Sequence, residues 1–208
     1  STAGAESLRS DLDYTAASKP LVPGVKHIRF NAFEDIRMIT MDTAAVIIEP
    51  IQGEAGAVVP LPGYLQAIRK QCDETCTLLI FDEIQTGMGR TGTMWAFQQE
   101  SVVPDILLLA KAFGGGLPLG AFISSRKMMS VLSHDPILGH LTTVGGHPLS
   151  CAAGFEAINI LTDNKLPEQA ARFQKIIRTH LEHHPALREI RGRGLMLAKK
   201  KKNPDHLF

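Results

Sequence analysis

Between positions 45 and 181, short apolar runs alternate with segments whose apolar residues recur at helical spacing. Ala45 to Ile48 is a β-branched run that stops at Glu49-Pro50, which is the pattern of a buried strand. Leu78 to Phe81 is a second run, ending in Asp82-Glu83. Ile106 to Ala110 is a third, ending at Lys111, and Leu119 to Ser124 is a fourth. Pro62 to Cys76 reads as a helix, with Leu65, Ile68, Cys72 and Cys76 on one stripe and a proline near its start. Pro148 to Leu161, rich in Ala and Ile behind a proline, suits another helix. Leu166 to Leu181 puts Ala170, Phe173, Ile176, Ile177 and Leu181 on a shared face. Continuous apolar strands alternating with helices predict an α/β fold, a mostly parallel sheet flanked by helices.

The ends break this pattern. The first thirty residues read as loop. Lys199 to Lys202 are four consecutive lysines, whose mutual repulsion favours solvent or a tail. Both ends read as boundaries of a fragment, and a sheet with strands missing is expected to expose its edges.

Composition removes several classes of function. The 208 residues carry 22 basic and 21 acidic side chains, so a net charge of +1 gives no basis for binding nucleic acid through phosphate neutralisation. No apolar run approaches the about 18 residues of a membrane-spanning helix. Three cysteines are too few for a disulfide framework and fit a reducing compartment. Cytoplasm is the default, with a mitochondrial matrix equally compatible once a leader is cleaved. Cys72 and Cys76, at helical spacing, read as core residues, and no metal site is expected.

Charged residues follow three of the apolar runs directly: Glu49, Asp82 with Glu83, and Lys111. In open α/β sheets ligands bind beyond the carboxyl ends of the strands, so these charges are placed to line a crevice. A lysine at the end of a buried strand is expected to be partly desolvated, which favours the neutral, nucleophilic amine. The Gly114-Gly-Gly116 run lets the backbone turn and approach a ligand. It is no nucleotide loop, because there the glycines precede the lysine. A Schiff-base lysine with an acid to hold a proton on a ring nitrogen is what a pyridoxal phosphate site requires.

Five motifs then occur in order. They are Glu49-Pro-Ile-Gln-Gly-Glu-Ala-Gly56, Phe81-Asp-Glu-Ile-Gln-Thr-Gly87, Gly89-Arg-Thr-Gly92, Pro104-Asp105, and His140-Leu-Thr-Thr-Val-Gly-Gly-His-Pro148. Together they resemble the class III aminotransferases, the ornithine, acetylornithine and 4-aminobutyrate group, from about Val22 to about Ala198. The resemblance implies the large domain of fold type I, incomplete here, a pyridoxal 5'-phosphate cofactor and a homodimer. It places residues 1–162 in the cofactor-binding large domain. Residues 163–208 would begin the C-terminal small domain and finish in an atypical Lys-rich end.

Position by position, Lys111 resembles the catalytic Schiff-base lysine, which also shuttles a proton between substrate and cofactor carbons. Asp82 resembles the partner of the pyridine nitrogen. Ile84 matches the aliphatic residue on one ring face, and Gln85 the residue near the phenolic oxygen. Thr143 resembles a threonine that binds the cofactor phosphate from the neighbouring subunit, with Gly145 and Gly146 letting its loop reach across. A helix cap before Pro148 is the competing reading of Thr143. Glu49 and Glu54 match acidic positions on the substrate side. In ornithine-like members the second pairs with an arginine of the small domain, although a plain surface carboxylate also fits Glu54. Glu83 reads as a structural ion pair, Trp95 and Phe97 as core, Arg191 and Arg193 as structural, and His183 and His184 as solvated. His147 stands where many members carry Asn, and Lys199 onward fits no family strand.

The expected function is amino transfer from an ω-amine or amino acid to a 2-oxo acid, in ping-pong half-reactions. The partners are those two small molecules and a second copy of the chain, with no nucleic acid and no membrane. Two other readings stay open: an aminomutase of the glutamate-semialdehyde type, and an inactive fragment serving only as a dimerisation module.

Overall fold

The computed structural model describes residues 2–134, 137 and 140–201, except for the side chain of Leu12. Lys202, the last of the lysine run, lies outside the described residues. The chain forms two compact units, one ending at Met38 and the other beginning at Ile39.

The first unit corrects the expectation of a loop. It contains helices α1 (Ala3–Ser7) and α2 (Leu12–Thr15), with 3-10 turns at Ala16–Ser18 and Phe33–Met38. Capping rather than apolar periodicity starts the two α-helices. The Thr2 side chain accepts from the Ala5 N–H, and Asp11 accepts from Asp13 N and Tyr14 N. Such short helices leave no periodic signal to read.

The second unit holds a four-stranded sheet in the order β1 (Ala45–Ile48), β2 (Leu78–Asp82), β3 (Ile106–Leu109), β4 (Ala121–Ser124). The first three strands are parallel, with Ile48 opposite Phe81 and Asp82 opposite Leu108. The last runs antiparallel to β3, Leu109 opposite Ala121, so the sheet is mixed and mostly parallel. The expected buried strand at Ala45–Ile48 sits at an edge instead, with Ile47 39% exposed. The other edge, β4, exposes Phe122 and Ile123. Each outer strand has only one paired side among the described residues, which is why its apolar positions are not all covered.

Helix α3 (Tyr64–Glu74) buries Tyr64, Leu65, Ile68 and Cys72 completely, and it packs on β2, whose Leu79 and Phe81 are equally buried. Each such side chain contributes roughly 1.5–3 kcal/mol of burial. Cys76 is not part of this stripe. The helix ends two residues earlier, Cys76 takes a left-handed backbone (φ 55°), and its side chain is exposed. Asp105 pins β3 in place. Its carboxylate accepts from Leu79 N at 2.7 Å and from Arg69 Nη1 at 2.8 Å, and its carbonyl accepts from Ser124 Oγ at 2.7 Å.

A short helix, α4 (Arg126–Ser130), follows β4, and then come α5 (Pro148–Asp163) and α6 (Leu166–Leu181). The chain closes with an antiparallel hairpin of β5 (Leu187–Arg193) and β6 (Met196–Lys201). Lys199, Lys200 and Lys201 are therefore strand residues, paired with Ile190, Glu189 and Leu187, although all three remain exposed. The hairpin is tied down by Arg178 of α6, which donates to the carbonyls of Ile190 and Gly192. Arg193 pairs with Glu100 at 2.6 Å, which bears out its structural reading. Among the described residues no helix is long and apolar enough to cross a membrane.

Candidate active site

The parallel register brings the carboxyl ends of β1, β2 and β3 side by side, and Glu49, Asp82 and Lys111 leave the sheet there. Glu49 is half-buried. Burial pushes its carboxyl above the usual carboxylate range, the Gly53 N–H at 2.9 Å opposes this, and the charges of Asp82, Lys111 and Glu54 all act on it. Those three groups are thus gathered around Glu49 at one edge of the sheet.

Asp82 is oriented by its own loop. Oδ1 accepts from the backbone N–H of Ile84 at 2.9 Å, while Oδ2 has no hydrogen-bond partner among the described residues. One oxygen fixes the carboxylate and the other is open to a donor. Ile84 and Gln85 follow directly and are half-buried. Gln85 Nε2 donates to Glu54 Oε1 at 2.9 Å, so Glu54 is more than a lone surface carboxylate.

Lys111 begins a 3-10 turn, Lys111–Gly114, with a left-handed backbone (φ 51°). That conformation breaks the strand alternation and is costly for a residue with a Cβ. The expectation of a desolvated amine is not met in this chain, because Lys111 is exposed and its Nζ has no partner among the described residues. Of the glycines after it, Gly115 makes room for a neighbouring helix. A Cβ on Gly115 would lie 2.6 Å from the Ala153 carbonyl, and one on Gly154 would lie 2.7 Å from the Phe113 carbonyl. Their absence lets α5 lie directly against the Lys111 turn and brace it.

Glu83, next to Asp82, makes no ion pair among the described residues, contrary to expectation. It is 2% exposed and accepts from Thr86 Oγ1 at 2.9 Å and from Ala96 N and Phe97 N, both at 2.8 Å. Burial pushes its carboxyl up, and those donors pull it back down. Glu83 staples the 86–97 segment to the end of β2, a role that sequence spacing alone does not reveal. Phe97 packs near Phe81, with ring centroids 6.4 Å apart.

Thr143 is not brought into this cluster by any hydrogen bond among the described residues, and it is exposed. Nor is it a helix cap. His147 caps α5, its Nδ1 accepting from Ser150 N at 3.3 Å. An apolar groove of about 630 Å³ between α5, α6 and the Met88–Arg90 loop includes none of Glu49, Glu54, Asp82, Ile84, Gln85, Lys111 and Thr143. Among the described residues no cluster of His, Cys, Asp and Glu could hold a metal ion.

An open acid and an open amine, at the ends of adjacent parallel strands, suit a cofactor with a basic ring nitrogen and an aldehyde. Comparison with known proteins agrees. A family model described as aminotransferase class-III matches residues 7–207. The fold is similar to an ornithine aminotransferase from Toxoplasma gondii, reported with partial occupancy of pyridoxal phosphate. The two are 38% identical with a TM-score of 0.87, over 96% of this chain and 48% of that one. An acetylornithine aminotransferase from Elizabethkingia anophelis is 34% identical with a TM-score of 0.80, over 95% of this chain and 50% of that one. An (S)-enantioselective omega-transaminase from Thermomicrobium roseum is 39% identical with a TM-score of 0.73, over 81% of this chain and 39% of that one. The chain spans about half the length of the two aminotransferases.

Proposed function

The chain belongs to the class III aminotransferases, and from that we propose that it transfers an amino group from an ω-amine or amino acid to a 2-oxo acid. The observation that carries the proposal is that Asp82 Oδ2 and Lys111 Nζ, neither with a partner among the described residues, stand at neighbouring strand ends. Pyridoxal phosphate, the cofactor of this family, supplies an aldehyde that takes up the amino group and a ring that draws electrons from the carbon bearing it.

The side chains divide the remaining work. Asp82 Oδ2 would keep the ring nitrogen protonated, and its Oδ1, held by Ile84 N, would stop the carboxylate from rotating away. Lys111 Nζ would hold the cofactor aldehyde until a substrate amine replaces it, and would then carry the proton between substrate and cofactor carbons. Ile84 would cover one ring face and Gln85 would sit at the phenolic oxygen. Glu49 and Glu54 face the substrate side. Thr143 would bind the phosphate of a second copy in a homodimer. The chain would pass from large to small domain near residue 163, where α5 gives way to α6. A reducing compartment, cytoplasm by default, fits the three free thiols.

Absorbance of the cofactor-loaded chain tests this reading. The wild type is expected to show a visible band that Lys111→Ala abolishes while the circular dichroism is unchanged. A panel of amines with 2-oxoglutarate, headed by ornithine and acetylornithine because the similar structures are of their aminotransferases, should then yield glutamate. A loaded wild type without the band rejects the proposal. Rearrangement of an amine without consumption of oxo acid would point to an aminomutase instead.

A further inference from the structure

The turn between β1 and α3 is met by residues of the site and by residues of the β5–β6 hairpin. From the site, Glu49 Oε2 accepts from Gly53 N, and Gln85 Nε2 donates to Glu54. The β5–β6 hairpin reaches the turn as well. Where a Cβ on Gly53 would stand, the Gln85 side chain is nearest and the terminal methyl of Met196 lies 3.0 Å away, and Arg191 Nη2 lies 3.2 Å from the equivalent point on Gly56.

The turn itself is stiff. The Gly53 carbonyl accepts from both Gly56 N (3.0 Å) and Ala57 N (3.2 Å), and Gln52 and Val58 exchange backbone hydrogen bonds at its base. Pressure at Gly53 or Gly56 therefore moves Glu54, which lies between them. Arg191 is not committed elsewhere. Its ion pair with Glu189 in the same strand is 3.7 Å long, and both side chains are more than a third exposed, so that pair holds it weakly. A guanidinium is planar and fits flat against a residue that has no side chain.

We propose that Arg191 and Met196 are positioning residues for the active site. Through the Gly53–Gly56 turn they fix Glu54 and, with it, the amide of Gln85. The C-terminal hairpin thereby sets how the amino donor is received. This rests on the reading of Glu54 as a substrate-side residue.

Two measurements on the full chain test the relay. The first is amide hydrogen exchange, with and without pyridoxal phosphate, and it needs no turnover. Arg191→Ala and Met196→Ala should each speed exchange across residues 53–57 and leave α3 unchanged, and Arg191→Lys should restore only part of the protection. Unchanged exchange in the turn, or equal loosening of α3, overturns the proposal. If Arg191→Ala does not fold, the other two variants decide by the same criterion. The second is steady-state kinetics with L-ornithine and 2-oxoglutarate. Arg191→Ala should lower kcat/KM for the donor about tenfold, mostly through KM, since a misplaced contact costs up to about a hundredfold. The same change made on top of Glu54→Gln should cost nothing more. Losses that multiply overturn the relay. If Glu54→Gln alone has no effect, the substrate-side reading fails and the kinetic half fails with it, whatever the exchange shows.

Discussion

Gln85 reaches from the loop after β2 to donate from Nε2 to Glu54 Oε1 at 2.9 Å, tying the carboxyl end of one strand to the turn that follows its neighbour. The contact is exposed, so it contributes little to folding, about 0.5 kcal/mol. Glu54→Ala and Gln85→Ala should leave urea midpoints nearly unchanged while raising the KM of the amino donor. A large loss of stability with normal KM would make the pair structural.

Lys111 carries a side chain on a left-handed backbone (φ 51°). Glycine relieves that strain and alanine does not. Lys111→Gly is expected to be more stable than Lys111→Ala by about 1 kcal/mol, with both inactive. Equal stabilities in urea would place the residue outside the left-handed region.

Glu49 keeps its proton to higher pH in the folded chain than its ordinary value of 4.5, mainly because of burial. The folded state then binds more protons than the unfolded one, so this contribution to stability is fully present below pH 4.5. It is lost as pH rises through the folded-state value. Denaturation across the acid range should show the wild type losing stability relative to Glu49→Gln on going toward neutrality. The opposite slope would mean that hydrogen bonding from Gly53 outweighs burial.

His147 Nδ1 caps α5 by accepting from Ser150 N, at 3.3 Å. Asn is among the strongest residues at such a position. His147→Asn should hold or raise the melting temperature, whereas His147→Ala should cost about 1 kcal/mol. Identical stabilities for the two variants would show that the cap is idle.

Cys72 is buried, and burial pushes its thiol up to about 11. Cys76 and Cys151 are exposed. Maleimide should label Cys76 and Cys151 quickly in the cofactor-free chain and reach Cys72 only in denaturant, which peptide mass mapping resolves.

Strand placement was legible because an apolar run bounded by charge is a local pattern. β2 and β3 formed where it predicted them, to within a residue. The placement of Glu49, Asp82 and Lys111 at the carboxyl ends of the strands was legible for the same reason. Three features were not. Whether β1 lies in the middle or at an edge depends on which strands pair with it, and its four residues carry no information about that. Cys76 looked like a helix position until the helix stopped two residues short. The three donors on Glu83 come from positions 86 to 97, brought back by a loop with no periodicity to read.

The amino-acid order by itself determined the alternation of strand and helix, the family motifs, and the acid and the amine that follow adjacent strands. These depend on neighbours in sequence and on side-chain chemistry alone. Tertiary structure decided which Asp82 oxygen stays open, that Gly115 leaves room for α5, and that Arg191 and Met196 lie near the turn carrying Glu54. Those are contacts between residues far apart in the chain, fixed by packing and by which polar groups satisfy one another, and no local pattern encodes them.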